Sequence, residues 1–300
     1  MTSKTTYEYA KMTWPEVNDA VRAGRVAVIP TGMIEDHGPH LPIDTDVVIA
    51  NAVCRRAAEL VPDEVVVLPS VTFGYSPHHM DGPGTLTIRW DTFVNHARDI
   101  TSSLAYHGFR KILMVNGHGS NRALLEIAAR LTVLENPDVH CAYLSWWDMR
   151  EVQRTFDSIR ESQWTSHACE LETSAYLAIH PEFVYMDRAR RDIDPYATPH
   201  FWSDLAGRRP DGYANPVVLV EYWSTVSETG TRGDPTVASA EKGEQVLRAA
   251  ATELVEIIRE LKARPIRPRI PHQIPEVQAR NARTRRGPGL EHLLGTRDTR

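Results

Sequence analysis

Four short apolar runs, Val26–Ile29, Glu64–Leu68, Lys111–Val115 and Val139–Leu144, alternate with longer stretches of helical periodicity, and this alternation constrains the chain most. Short β-branched runs separated by helix-length segments predict parallel strands joined by helical crossovers, with both sheet faces covered. The helices have readable ends. Thr13-Trp-Pro-Glu16 has the form of a capping box with proline near the start, opening a helix to about Ala23. Thr45–Val61 repeats apolar residues at i, i+3 and i+4, with Pro62 beyond. Asp91 is the expected cap of a helix ending before Gly108, and a further helix spans about Asn121–Glu135. Another lies near Cys169–Ile179. After an irregular stretch to about Val218, a long helix is expected from Thr236 to about Lys262. The reading is one α/β domain with an embellished second half.

Composition narrows the function classes. With 42% hydrophobic and 24% charged residues over 300 positions, the chain is an ordinary globular one, long enough to fold without disulfides. No apolar run reaches the roughly 18 residues of a membrane span, and the first eleven residues lack a secretory apolar core. Cys54, Cys141 and Cys169 are widely spaced and odd in number, which argues for a reducing, cytoplasmic setting. Residues 262–300 carry ten Lys and Arg against three Asp and Glu, whereas the preceding 261 carry 24 against 36. An acidic body disfavours nucleic acid as a partner. The expected division is therefore 1–262 as the folded body and 263–300 as a basic Pro/Arg-rich tail, extended or strapped across a neighbouring surface.

The chemistry gathers in the loops. After the first strand, Glu35, Asp36, His37, His40 and Asp46 fall within twelve residues. Ligands bind at the C-terminal ends of strands in open α/β sheets. Glu35 and His37, two apart in extended backbone, share a side, and Asp46 can return from the next helix. After the third strand comes Asn116-Gly-His118-Gly-Ser-Asn121, whose glycines permit close backbone approach. His167-Ala-Cys-Glu170-Leu-Glu172 runs into a helix, and Ser76-Pro-His78-His79 lies in a Gly/Pro-rich loop suited to covering a substrate. A single His-Gly loop is commonly only a turn. Here six of thirteen histidines fall in such loops beside acids, and mixed oxygen and nitrogen donors suit Zn, Mn or Fe(II).

Taken together, Glu35-x-His37-Gly-x-His40-Leu-Pro with Asp46, Asn116-Gly-His118-Gly-x-Asn121 and His167-Ala-x-Glu-x-Glu172-Thr-Ser174 resemble the creatininase (creatinine amidohydrolase) family. Pro83-Gly-Thr85, Gly233-Asp-Pro-Thr236 and Glu241-Lys-Gly243 extend the likeness over about residues 10–262. The resemblance implies a three-layer α/β fold with a central parallel sheet flanked by helices, two divalent metal ions per chain and commonly a homohexamer. It implies that Glu35 and His118 hold one metal and His37 the other, with Asp46 bridging. Creatininase itself carries Tyr-Glu after Asn-Gly-His, and that Glu is a metal ligand; here Gly119 and Ser120 stand instead. Glu172 is the expected substitute ligand. The change argues against creatinine as the substrate.

The expected function is hydrolysis of a C–N bond in a small polar cyclic amide, formamide or related compound by a metal-activated water. His167 is the candidate proton shuttle, Ser76, His78 and His79 line the substrate side, and His40 orients the loop. Family members also include a hydrolase that opens a carbonyl-containing carbocycle derived from inositol, which keeps C–C cleavage open as an alternative. A non-catalytic scaffold is the third reading.

Overall fold

The computed structural model describes residues 6–193, 198–207 and 209–283. Its centre is a four-stranded parallel sheet in the order β2-β1-β3-β4, formed by β1 (Val26–Thr31), β2 (Val65–Val67), β3 (Lys111–Asn116) and β4 (His140–Ser145). β1 and β3 are buried along their whole length. Alternate residues feed two cores: Val26, Val28, Leu113 and Val115 enter one, and Ala27, Ile29, Ile112 and Met114 the other. A strand wetted by neither face must be apolar throughout, which is why these runs stood out in the sequence.

Helices α2 (Thr45–Leu60), α5 (Arg150–Ile159), α6 (Glu170–Ile179) and α7 (Ala240–Ala263) pack on the first core, and α1 (Trp14–Arg22), α3 (Trp90–Tyr106) and α4 (Asn121–Glu135) on the second. The three-layer expectation therefore holds. At the α6–α7 crossing the close approach requires a glycine, because a Cβ on Gly243 would lie 1.8 Å from the Ser174 carbonyl oxygen.

Several local expectations shift. The Thr13–Glu16 box caps α1 as read, with Glu16 accepting from the Thr13 amide at 2.6 Å. Asp91, however, is not the α3 cap: Arg89 occupies that place and Asp91 lies in the first turn, paired with Arg89. α7 begins at Ala240, four residues later than expected, because Pro235–Val237 forms a tight 3-10 turn and Ser239 caps the helix by accepting from Lys242. Three elements were not expected: α5, whose apolar Val152, Phe156 and Ile159 do recur at helical spacing, and the small antiparallel pair β5 (Thr165–His167) and β6 (Arg232–Gly233), too short for any pattern. In the basic tail, α7 extends one residue past the expected limit and α8 (Pro275–Arg283) interrupts the extended reading. The rest of that tail, 284–300, lies outside the described residues. Among the described residues no helix is long and apolar enough to cross a membrane.

Candidate metal centre

β1 connects outward to β2, and the chain then crosses back to β3 on the other side of β1. The C-terminal ends of β1 and β3 therefore flank the point where strand order reverses, which opens a crevice. The start of α2 closes it from one side. A Cβ on Gly117 would lie 2.3 Å from the Asp46 carbonyl oxygen, and one on Gly32 would lie 2.6 Å from the Val47 amide nitrogen. Only glycine permits this approach, and it delivers Asp46, in the first turn of α2, between Glu35 and His118. A carboxylate in a first helical turn is favoured by the backbone amides there.

The loops are braced by their own asparagines. Asn116 Nδ2 donates to the His118 carbonyl at 2.6 Å, and its Oδ1 accepts from the His118 amide at 3.1 Å. Asn121 accepts from the Tyr75 amide and donates to the Gly32 carbonyl, each at 3.0 Å, so it ties three loops together. Opposite, Ala168 between β5 and α6 adopts φ of 49°, a left-handed conformation costly for a residue with a Cβ. That turn sets His167 at the end of β5 and Glu172 in the first turn of α6 toward the same crevice.

Three carboxylates, Glu35, Asp46 and Glu172, and three imidazoles, His37, His118 and His167, thus converge, all buried. His118 Nδ1 is 3.1 Å from both Glu35 Oε1 and Asp46 Oδ2, and His37 Nε2 is 3.2 Å from Asp46 Oδ1. Each imidazole has its outer nitrogen on a main-chain carbonyl: His37 Nδ1 on Glu35 at 3.2 Å, His118 Nε2 on Tyr75 at 3.3 Å, His167 Nε2 on Asp36 at 2.7 Å. A carbonyl only accepts, so the outer nitrogen carries the proton, leaving the inner lone pair aimed at the carboxylates. His37 Nε2, Asp46 Oδ2 and His79 Nδ1 have no hydrogen-bond partner although buried.

Proton affinities carry the same imbalance. Burial pushes the Glu172 carboxyl up to about 7, helped by the charges of Asp46 and Glu35. Burial opposes charge on His37, but Asp46 outweighs it and raises the imidazole to about 10; His118 is raised likewise by Glu35 and Asp46. Protons on these rings would balance the buried anions, and cations bound among the orphaned atoms would do so in their place. The donor set fits divalent ions: Glu35, Asp46 and His118 form one group with donor atoms all within 4.8 Å of one another, His37, His167 and Glu172 a second, and Glu35, His79 and His167 a third.

The structure places the remaining expected residues unevenly. His78 and His79 line a cavity of about 490 Å³ that opens over the cluster. His78 Nε2 lies 3.3 Å from Ser120 Oγ. Ser76 does not line it: its hydroxyl is buried and donates to Glu35 Oε2 at 2.7 Å, because its amide is held by Thr87 Oγ1. His40 is buried behind the site, 2.9 Å from Thr173 Oγ1. Sequence reasoning missed Trp223, Trp147, Trp202 and Asp204 in the cavity wall. They come from segments without periodicity, and nothing local marks them.

Comparison with known proteins places the fold in a family. The creatininase family model, creatinine amidohydrolase, matches residues 10–258. The chain is 29% identical to the creatinine amidohydrolase of Pseudomonas putida over 265 residues, 83% of this chain and 95% of that protein. It is 27% identical to the 3-dehydro-scyllo-inosose hydrolase of Thermotoga maritima over 271 residues, 85% of this chain and 84% of that protein. A Zn-Zn form of a mutant creatininase superposes with a TM-score of 0.71 at 27% identity, over 87% of this chain and 100% of that one. A manganese creatininase gives 0.70 at 27%, over 86% and 100%. The chain belongs to the creatininase family of hydrolases.

Proposed function

We propose that this chain is a binuclear metal-dependent hydrolase that cleaves a C–N bond in a small polar cyclic amide, formamide or related compound other than creatinine. The observation that carries the reading is the shared orientation of His37, His118 and His167, each locked through its outer N–H to a main-chain carbonyl with the inner nitrogen facing buried carboxylates. Such outer hydrogen bonds fix the tautomer and basicity of metal-ligating histidines. Glu35, His118 and Asp46 would hold one ion, and His37 and Glu172, with Asp46 shared, would hold the second. The existence of Zn-Zn and manganese creatininases with this fold supports divalent ions. Glu172 then stands in for the carboxylate replaced by Ser120. Ions bound there supply Lewis acidity, lowering the pKa of a water and polarising a carbonyl oxygen.

The remaining work belongs to side chains. His167 Nδ1 faces the cluster while its Nε2–H is committed to Asp36, so Nδ1 is the nitrogen that can exchange a proton. Burial and the charge of a protonated His37 keep His167 neutral; where ions replace the His37 proton that charge is gone, and the neutral Nδ1 would take a proton from the attacking water and pass it to the leaving nitrogen. Ser76 orients Glu35 through its hydroxyl. Gly119 leaves its side of the cavity open, since a Cβ there would meet nothing within 4 Å, and this supports a substrate shaped differently from creatinine. A homo-oligomer, as the family resemblance implies, and a cytoplasmic setting belong to the same proposal; light scattering on the full chain measures the assembly.

The test is a screen of formamides, lactams and cyclic amides against protein reconstituted with manganese or zinc. Turnover of one of these, abolished in His37→Ala, is the expected result. A His37→Ala or Asp46→Asn variant with full activity would sink the metal mechanism.

A further inference from the structure

Trp223 enters the site from a 3-10 turn, Trp223–Thr225, in a segment that carries none of the sequence motifs. Its ring stacks on His79 with centroids 4.3 Å apart and planes 23° apart, and stands edge-on to His167 at 4.9 Å and 72°. The Arg232 guanidinium, on β6, lies over the Trp223 ring at 5.3 Å and over Trp164 at 4.9 Å. Contacts therefore run from Trp164 through Arg232 and Trp223 to His79. A guanidinium attracts the electron-rich face of an indole, and flat side chains with few torsions make stiff walls. Two hydrogen bonds fix the turn further: Trp223 Nε1 donates to the Gly230 carbonyl at 3.3 Å, and Ser224 Oγ donates to Asp81 in the loop that carries His78 and His79. The other side of the cavity differs. Gly119 presents open space, and Ser120 and Arg122 continue that wall.

We infer that Trp223, held in place by Arg232, is the specificity-determining wall of the cavity: it admits substrates that are compact beside His79 and His167 and turns their larger part toward Gly119 and Arg122. The inference rests on the metal-hydrolase reading, because the wall matters only if a carbonyl is presented to the cluster beneath it. Trp223 reaches no proposed ligand atom by hydrogen bond, so its effect is steric. The side facing it tolerates little added volume, while the Gly119 side tolerates more.

The probes are two hydroxamates, which chelate divalent ions through the same pair of oxygens and differ in bulk: acetohydroxamate, and N-phenylbenzohydroxamate, bulky on both sides. Binding of each to the manganese-loaded full chain is measured by calorimetry for wild type, Trp223→Ala and Arg232→Met, with manganese content determined in parallel. Removing an obstructing side chain changes pocket discrimination by roughly tenfold or more. The expected result is that Trp223→Ala shifts the affinity ratio about tenfold toward the bulky probe at unchanged manganese content. Arg232→Met is expected to shift it the same way by a smaller factor. An unchanged ratio in Trp223→Ala, with acetohydroxamate still bound by both proteins, overturns the wall. A ratio unchanged only in Arg232→Met removes the arginine's part. Loss of manganese in Trp223→Ala shows that the indole acts through His79 on the metal, which also overturns the steric assignment. Failure of manganese-loaded wild type to bind acetohydroxamate overturns the metal reading together with this one.

Discussion

Two groups of buried charge lie close to β5, and they are built on opposite principles. Arg160 and Asp204 form a bidentate pair at 3.0 and 3.1 Å with both side chains fully buried. Asp204 also accepts from the Thr165 amide and hydroxyl and from the Ala206 amide, and Arg160 Nε donates to the Ser162 carbonyl. Charges cancel within the pair and its hydrogen-bonding capacity is used. In the crevice, Glu35, Asp46 and Glu172 have no arginine or lysine as an ion-pair partner among the described residues: Glu35 meets imidazoles and the Ser76 hydroxyl, Asp46 meets imidazoles, Glu172 accepts from the Cys169 thiol, and His37 Nε2 and Asp46 Oδ2 have no hydrogen-bond partner. Burying charge is tolerated when it is paired and fully hydrogen-bonded. The first arrangement is complete as protein; the second leaves buried donor atoms unmet, which is what the proposed metal centre requires. Burial alone does not distinguish a structural ion pair from a site, whereas unmet valence does.

Four variants press on that contrast, from the largest expected effect downward. Asp46→Asn removes the carboxylate shared by both ion positions, so kcat/KM should fall roughly a thousandfold or more and bound metal should be lost. In the metal-free protein the same change removes the anion that holds His37 and His118 protonated, so thermal unfolding of the stripped protein near neutral pH should show a loss of stability. Asp204→Asn reverses the pattern. It strands the buried Arg160, at a cost of about 3–5 kcal/mol in urea unfolding, while metal content stays that of wild type. If Asp204→Asn lost its metal and kept its stability, the contrast would be broken. Ser76→Ala withdraws one hydrogen bond from Glu35 and should weaken metal affinity about 10–100-fold, read by competition with a chelator. Gly119→Phe projects into open space and should change stability by less than about 0.5 kcal/mol while cutting binding of the bulky hydroxamate; a large loss of stability would show the space to be filled.

How far the sequence reaches follows the same division. Strands buried on both faces must be apolar throughout, so β1 and β3 were visible as runs, and α4 has the bounds expected for it. The proposed ligands were visible because strand ends, glycines and acids mark them locally. Glu172 could be named only through the resemblance, since its approach to His37 depends on the strained turn at Ala168. Ser76 was misplaced because loop composition says nothing about which way a hydroxyl turns. Trp223, Arg232, Arg160 and Asp204 left no trace: each acts with partners far away in sequence, in stretches with no period to read. The pairing of β5 with β6 is two residues long on one side, too short for any pattern.

The central claim, that the crevice between β1, β3, α2 and α6 holds a pair of divalent ions, is tested most directly by anomalous diffraction from crystals of zinc-loaded protein at the zinc edge. The account predicts two peaks per chain, one flanked by Glu35, Asp46 and His118 and the other by His37 and Glu172, with Asp46 beside His37. Peaks elsewhere on the chain, or none in the crevice after zinc loading, would contradict it.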